Sequence, residues 1–132
     1  MKGLILFLLL VLKLPHTERE YLKNYYPNGK IMEEGWLENG KKNRYWLFYF
    51  DSGLKREEGH YQDDKKTKWW IYYDNNQNIL KKCEYKNNVL NGLTIIYHKG
   101  RIVAAEKYSM GGKIKTWNTL TEFKKDNVNL FN

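Results

Sequence analysis

A repeat with a period of 24 residues dominates this sequence. The stretch "YYPNGKIMEEG", which begins at Tyr25, returns as "YFDSGLKREEG" from Tyr49. The same spacing continues to Tyr73 and Tyr97, and the last unit is one residue shorter because the turn "YHKG" replaces a longer connection. A fixed period of about 20 to 50 residues indicates a repeat architecture, in which one unit cannot bury its apolar face alone. The sequence therefore divides into four units, at residues 25–48, 49–72, 73–96 and 97–119.

Each unit is predicted to be a β-hairpin. An apolar run such as "RYWLFYF" or "KWWIYYD" precedes a turn rich in Asn, Asp, Ser or Gly, and a second extended run follows. No later segment of about ten or more residues has the helical period of roughly 3.6. Residues 20–26 are predicted to be a half-unit that opens the sheet, and "KTWNTLTEF" is predicted to contain its closing strand. The sequence therefore predicts an all-β fold, an extended antiparallel meander of stacked β-hairpins in a single-layer curved sheet.

Both ends of the chain differ from the repeats at residues 20–119. Residues 1–19 contain an apolar run at 4–12 after an early lysine. This pattern resembles a secretory signal without a small-residue cleavage site, and the run is shorter than the ~20 residues that span a bilayer. We expect a signal-like or anchoring segment and a location in the cell envelope or outside the cell. A wrongly assigned start, or an apolar strand packed on the domain, with a cytoplasmic location, is the alternative. Residues 120–132 are expected to be the end of the closing strand and a polar tail.

Aromatic residues recur at equivalent positions of the units, starting from Tyr25. Both alternating sets of side chains in runs such as "RYWLFYF" are apolar, and a single-layer sheet of this size cannot cover both of its faces. One aromatic face is therefore expected to be partly open, although cross-strand aromatic ladders also hold a thin sheet together. The candidate partner surface consists of Tyr49, Tyr73, Tyr97, Trp46, Trp70 and Trp117.

Basic residues recur in the turns between hairpins, in a chain of formal net charge +8. Equivalent turns of a stacked meander lie along one edge of the sheet. A basic ridge is therefore predicted from Lys41, Lys42, Arg44, Lys65, Lys66, Lys68, Lys113 and Lys115. Such a ridge would attract the phosphates of lipids or nucleic acids. Lysine at a sheet edge also prevents pairing with other chains, and the sequence favours this second role.

The sequence contains no recognisable catalytic constellation. Neighbouring residues of a strand point to opposite faces. The two carboxylates of Glu33-Glu34 therefore cannot act on the same substrate, and neither can those of Glu57-Glu58. The histidines occupy unrelated positions in the units, and Cys83 is the one cysteine. Neither a nucleophile, base and orienting group nor a set of metal ligands has suitable spacing. We expect no enzymatic activity, no cofactor, no metal and no small-molecule substrate.

The unit "YYPNGKIMEEGWLENGKKNRYW" resembles the variant MORN repeat, a hairpin of about two dozen residues with a Y-x-x-N-G-K-L core, a following E-G-x-Y-x-x-G and a tryptophan near its end. The resemblance covers residues 20–119 and weakens in units three and four. There Gln77 replaces the turn glycine, Cys83 and Glu106 replace the strand glycine, and Thr94 replaces the tryptophan.

This family includes bacterial YwqK-type antitoxin-like proteins and MORN proteins that are regarded as membrane-associated or scaffold-forming. The resemblance implies a β-meander that acts by contact. The expected function is protein–protein interaction, with an antitoxin or immunity-like role as its specific form. Peripheral association with an anionic membrane is the alternative, and nucleic acid is the least favoured partner.

Overall fold

The computed structural model describes residues 14–131, so the predicted apolar run lies outside the described residues. In residues 14–131, nine strands form one antiparallel sheet in which each strand pairs with its neighbours in sequence. The sheet is not closed, and its edges are the first and last strands. The predicted all-β meander of hairpins is confirmed. The strands are β1 (Arg19–Tyr25), β2 (Ile31–Glu38), β3 (Lys41–Tyr49), β4 (Lys55–Gln62), β5 (Lys65–Tyr73), β6 (Ile79–Lys86), β7 (Val89–His98), β8 (Arg101–Ser109) and β9 (Gly112–Trp117).

Two-residue turns join most of these strands. In each of them both residues have positive φ, which defines the type I′ turn whose twist matches that of the strands. One is Lys99-Gly100, which stands where the other units have a five-residue connection and belongs to the unit that is one residue shorter than the others. The others are Asn39-Gly40, Asp63-Asp64, Asn87-Asn88 and Met110-Gly111.

Two fully buried tryptophans form the centre of the sheet's main core. Trp46 pairs across the strands with Gly35, and Trp70 pairs with Gly59. Each indole lies directly over its glycine, since a Cβ built at either glycine would come within 2.3 Å of an indole carbon. Phe48 and partly buried side chains that include Tyr61 complete the cluster. We call this side of the sheet the tryptophan face.

A β-bulge accompanies each tryptophan. The strand register shifts between Gly35 and Trp36, and again between Gly59 and His60. The freed carbonyl oxygen of Trp36 accepts a hydrogen bond from Trp46 Nε1 at 3.0 Å, and the carbonyl oxygen of His60 accepts one from Trp70 Nε1 at 3.0 Å. The bulges therefore satisfy the polar atom of each buried indole.

The third unit replaces the tryptophan–glycine pair with two smaller side chains. Cys83 and Thr94 are cross-strand partners, and both are buried. Two side chains of intermediate size thus occupy the positions of one very large residue and one without a side chain. The two departures from the repeat compensate each other, which explains why the strands continue unchanged.

The fourth unit resolves the same conflict by a change of register. Glu106 stands where units one and two have glycine, and a side chain at that position would occupy the space that the indole takes above each of those glycines. Trp117 pairs instead with Ala105, one residue along the strand. Because a shift of one residue moves a side chain to the other face, Trp117 packs on the opposite side from Trp46. Its buried neighbours there are Ala105 and Phe123.

Phe123 belongs to a short helix, α1 (Leu120–Asp126), which is followed by a 3₁₀ turn at Val128–Leu130. The prediction that the closing strand continues into residues 120–123 is therefore wrong. The side chain of Thr119 accepts a hydrogen bond from the backbone N–H of Glu122 and caps the helix. The Phe123 ring contacts Trp117 edge to face at 5.1 Å between centroids. No helix in the described part of the chain is long and apolar enough to cross a membrane.

Candidate partner-binding surfaces

The six aromatic residues of the predicted partner surface do not lie together. Trp46 and Trp70 have no exposed area and belong to the tryptophan face, whereas Trp117 is buried on the opposite one. By alternation along the strands, Tyr49, Tyr73 and Tyr97 point away from the tryptophan face. We call their side of the sheet the tyrosine face. The predicted surface is therefore divided between two faces, and its tryptophans form cores rather than contact sites.

The predicted tyrosines anchor carboxylates within the sheet. The Tyr49 hydroxyl donates a hydrogen bond to Glu34 at 2.7 Å, and the Tyr73 hydroxyl donates one to Glu58 at 2.7 Å. Burial first, and then these carboxylates, raise the pKa of Tyr49 and of Tyr73. Burial alone would raise the pKa of Glu34, but hydrogen bonds from Tyr49 and Tyr21 lower it overall. These groups satisfy one another's hydrogen-bonding capacity and leave little of it for a ligand.

The third unit lacks this tyrosine–carboxylate pair. Lys82 occupies the register position that Glu58 has in unit two, since it pairs with Ile71 as Glu58 pairs with Leu47. The Lys82 ammonium lies 5.7 Å from the centroid of the Tyr97 ring. The tyrosine face therefore changes from acidic to basic between units two and three.

The predicted basic ridge is interrupted because two of its members point into the tryptophan face. Lys42 Nζ lies 4.3 Å from the Trp46 ring centroid and forms an ion pair with Glu33 at 2.8 Å. Lys66 repeats the arrangement, 4.0 Å from Trp70 and 3.4 Å from Glu57. Such cation–π contacts stabilise a partly desolvated lysine. These two lysines cover the core and are not available to an external phosphate.

The other members of the predicted ridge divide into paired and unpaired residues. Arg44 contacts Glu38 at 2.8 Å, Lys113 contacts Glu106 at 3.3 Å, and Lys115 forms an ion pair with Asp126 of α1. Three exposed members have no ion pair within residues 14–131: Lys41, Lys65 and Lys68. The eight residues therefore do not form one continuous cationic line.

A row of aromatic side chains that was not predicted crosses the first five strands on the tyrosine face. Tyr21 and Trp36 meet edge to face at 5.2 Å, and Tyr45 and His60 meet at 4.9 Å. Trp69 on β5 continues the row. The four aromatic residues other than His60 retain between 37 and 43% of their surface. We call Tyr21, Trp36, Tyr45, His60 and Trp69 the aromatic row.

The β-bulges place basic residues beside the aromatic row. Arg44 and Lys68 are the bulge residues with positive φ, at 64° and 59°. The Arg44 guanidinium lies 5.9 Å from the Trp36 ring centroid. An open groove between the two bulges is lined by Arg44, Tyr45, His60, Tyr61, Gln62, Thr67 and Lys68.

His60 is the polar centre of this groove. Its Nδ1 is buried without a hydrogen-bond partner among the described residues. Burial and the nearby charge of Lys68 lower the pKa of His60, which favours the neutral imidazole at neutral pH. The groove thus combines exposed rings, two cations and an unpaired ring nitrogen. Alternation does reveal this location, because Tyr45 and Trp69 directly precede the buried tryptophans and must point to the other face.

The positive charge of the chain is concentrated in its second half. Residues 14–74 contain 11 basic and 11 acidic side chains, whereas residues 75–131 contain 10 basic and 4 acidic ones. We call these segments the neutral half and the basic half. Much of the change arises where Lys81-Lys82 takes the register position of Glu57-Glu58. The surplus of six positive charges therefore lies mainly outside the predicted ridge.

The described residues contain no group of three or more His, Cys, Asp or Glu side chains that could hold a metal ion. The chain matches no protein-family model, and a comparison with curated proteins finds no match either.

Proposed function

We propose that this protein is a non-enzymatic protein-binding module whose partner docks on the aromatic row. The observation that supports this proposal is the partial exposure of Tyr21, Trp36, Tyr45 and Trp69 on one face of the sheet. Tyrosine, tryptophan and arginine dominate the energetic centres of protein interfaces, because large rigid rings lose little entropy when they are buried. Arg44, which lies beside the row, supplies the third of these residue types.

The row has the dimensions of a linear recognition site. It crosses five neighbouring strands, and strands of a sheet lie ~4.8 Å apart, so its ends are about 19 Å from each other. A partner segment of about six extended residues would cover that distance. The surrounding sheet holds the rings in place through the continuous strand pairing from β1 to β5. A docking site of this kind needs little rearrangement on binding.

The specific form that we propose is an antitoxin or immunity-like protein, on the basis of the resemblance to the variant MORN repeat. Neutralising another protein by contact requires a recognition surface and no catalytic groups. We also propose a location in the cell envelope or outside the cell, on the basis of the signal-like sequence of residues 1–19. An immunity-like role is compatible with that location, whereas neutralisation of a cytoplasmic toxin is not.

Peripheral binding to an anionic membrane is the weaker candidate. Each basic residue close to such a membrane adds ~1 kcal/mol of attraction. Lys42 and Lys66 of the predicted ridge are engaged with aromatic rings and glutamates, so they would contribute little. Membrane binding through the basic ridge also does not require the exposed rings of the aromatic row.

Affinity capture from cells that produce the protein tests the proposal. The full-length chain and its Trp36→Ser and Trp69→Ser variants serve as baits, with Leu54→Ser as the matched control. Leu54 is 40% exposed but lies in the β3–β4 connection, away from the row. We expect each tryptophan variant to capture at least about ten-fold less of the partner, the loss expected for an interface residue worth about 1.4 kcal/mol.

The control variant should capture the partner as well as the native chain does. Undiminished capture by both tryptophan variants would contradict a docking site on the aromatic row. Thermal unfolding of each bait separates loss of binding from loss of fold. Fractionation of the same cells reports the compartment, and a cytoplasmic protein would contradict the proposed location.

A further inference from the structure

We infer that the partner segment is acidic where it lies over the basic half, so that it presents apolar side chains to the aromatic row and carboxylates to units three and four. This inference rests on the proposed function and adds the chemical class of the ligand. It is carried by three lysines on the tyrosine face: Lys82, Lys86 and Lys107.

Lys82 stands in a position that a carboxylate occupies in units one and two. Glu34 and Glu58 at this position are hydrogen-bonded to tyrosines. Lys82 lies between Ile71 and Ile95 on the neighbouring strands. It has no ion pair with any acidic residue in residues 14–131. A half-buried ammonium that has no carboxylate partner among the described residues is a favourable site for a carboxylate of another chain.

Lys86 and Lys107 extend this positive region. Alternation along β6 places Lys86 on the same face as Lys82. Lys107 pairs across the strands with Leu93 on one side and Lys115 on the other. Directly opposed like charges are unfavourable, and Asp126 neutralises Lys115 alone. Both Lys86 and Lys107 are exposed and have no ion pair in the described range.

The acidic residues of this region do not cancel the charge. Glu84 lies between Lys82 and Lys86 on β6, but its carboxylate accepts a hydrogen bond from the backbone N–H of Leu93 at 2.6 Å. The carboxylate of Glu106 is engaged by Tyr108 and Lys113. A basic surface therefore remains in units three and four, whereas the neutral half has equal numbers of basic and acidic side chains.

The basic region continues directly from the aromatic row. Trp69, the last member of the row, pairs with Glu84, the neighbour of Lys82 and Lys86 along β6. Lys107 lies three strands beyond Trp69, or about 14 Å at ~4.8 Å per strand. About five extended residues cover that distance. One short segment with apolar anchors followed by carboxylates therefore satisfies both parts of the face.

Two synthetic peptides test the inference by titration into the ¹⁵N-labelled full-length protein. One has eleven residues, six that include two leucines and a tryptophan followed by five glutamates, which is long enough for the ~34 Å from β1 to β8. The other has glutamine in place of each glutamate. We expect the glutamate peptide to bind at least ten-fold more tightly. The amide signals of Lys82, Lys86 and Lys107 should shift only with that peptide, while those of the aromatic row shift with both.

Charge-reversal variants provide the matched comparison. Lys82→Glu/Lys107→Glu should lose at least ten-fold in affinity for the glutamate peptide. Lys41→Glu/Lys65→Glu should change it less than about three-fold, since both of these lysines are exposed but belong to the neutral half. The milder Lys82→Gln/Lys107→Gln variant serves if charge reversal impairs folding. Equal affinities for the two peptides, or equal losses in both double variants, would overturn the inference.

The same titrations distinguish this inference from the proposed function. Equal binding of both peptides, abolished by Trp36→Ser, keeps the aromatic docking site and overturns only the acidic partner. Shifts confined to the lysines and insensitive to Trp36→Ser contradict the docking site instead. If the lysine variants abolish binding to phosphatidylglycerol vesicles but leave peptide affinity unchanged, the basic half recognises lipid and the inference is wrong.

Discussion

Gly59 decides where the indole of Trp70 can lie. The ring occupies the space that a Cβ at this position would fill, and Gly35 has the same relation to Trp46. Units three and four show two other outcomes when a side chain is present: the large residue is lost at Thr94, or it moves to the other face at Trp117. The glycine of this repeat is therefore a packing requirement rather than a turn signal.

A methyl group at Gly59 is expected to destabilise the protein. The Gly59→Ala variant should lower the free energy of unfolding by about 3 kcal/mol, at the upper end of the cost of overpacking, because the nearest indole carbon is only 2.3 Å from the added atom. Gly112→Ala is the matched control, since its added Cβ would meet its nearest neighbour at 3.5 Å. Urea unfolding followed by circular dichroism measures both, and similar stabilities would contradict the packing argument.

The hairpins are joined by more than their strand ladders. The backbone N–H of Asp64 donates to the carbonyl oxygen of Lys42 at 2.9 Å, and the Lys42 N–H donates to Asp64 Oδ1 at 2.7 Å. Asn88 and Lys66 repeat both bonds. At the other ends of the strands, the Gln77 side chain forms hydrogen bonds with both the backbone N–H and the carbonyl oxygen of Lys55. Gln77 thus adopts the positive φ of the turn glycine that it replaces, at 65°, and its side chain links the turn directly to the previous unit.

The turn at Met110-Gly111 begins with a residue that fits its backbone poorly. Met110 has a φ of 47°, a conformation that asparagine adopts far more readily. Met110→Asn should therefore stabilise the protein by roughly 0.5–1 kcal/mol. Met110→Val should destabilise it, because a β-branched residue fits positive φ poorly. Thermal unfolding of the two variants measures the difference, and a lower melting temperature for Met110→Asn would contradict this reading of the turn.

The hairpins were predictable because the period and the turn residues independently report the same elements. Helix α1 was not, since its seven residues are too few for a periodic pattern to be recognised. Its signal was local, in the threonine cap at Thr119 followed by Glu122. The face of Trp117 was also inaccessible to the period alone. It depends on the register of β8 against β9, in which Trp117 lies opposite Ala105 rather than opposite Glu106.

Repetition in the sequence predicted the buried aromatic residues but not the exposed ones. Positions that repeat most faithfully, such as Trp46 and Trp70, do so because packing requires them, and they are therefore buried. The exposed aromatic row varies from unit to unit, so its members were not recognised by repetition. The total charge was also evident from composition. Its concentration in the basic half can likewise be counted along the sequence. Which of those lysines lack a carboxylate partner could not be predicted, because it depends on the pairing in the folded sheet.

The open meander predicts a gradient of local stability. Each strand contacts its sequence neighbours, and β1 has a partner on one side only. Amide hydrogens of β1 should therefore exchange faster than those of β5, which has strands on both sides. Hydrogen exchange followed by NMR measures this difference residue by residue. Equal protection of β1 and β5 would contradict the gradient and indicate that the sheet unfolds as a single cooperative unit.

The sequential strand order also makes the length of the molecule adjustable. Duplicating or removing one 24-residue unit would shift the end of the sheet by two strand widths, about 10 Å, and would leave the other strand pairings intact. Gene duplication can therefore lengthen or shorten the reach of this protein in uniform steps. Later substitutions in a new unit, such as the change from glutamate to lysine at Lys81 and Lys82, can then give it a chemistry of its own.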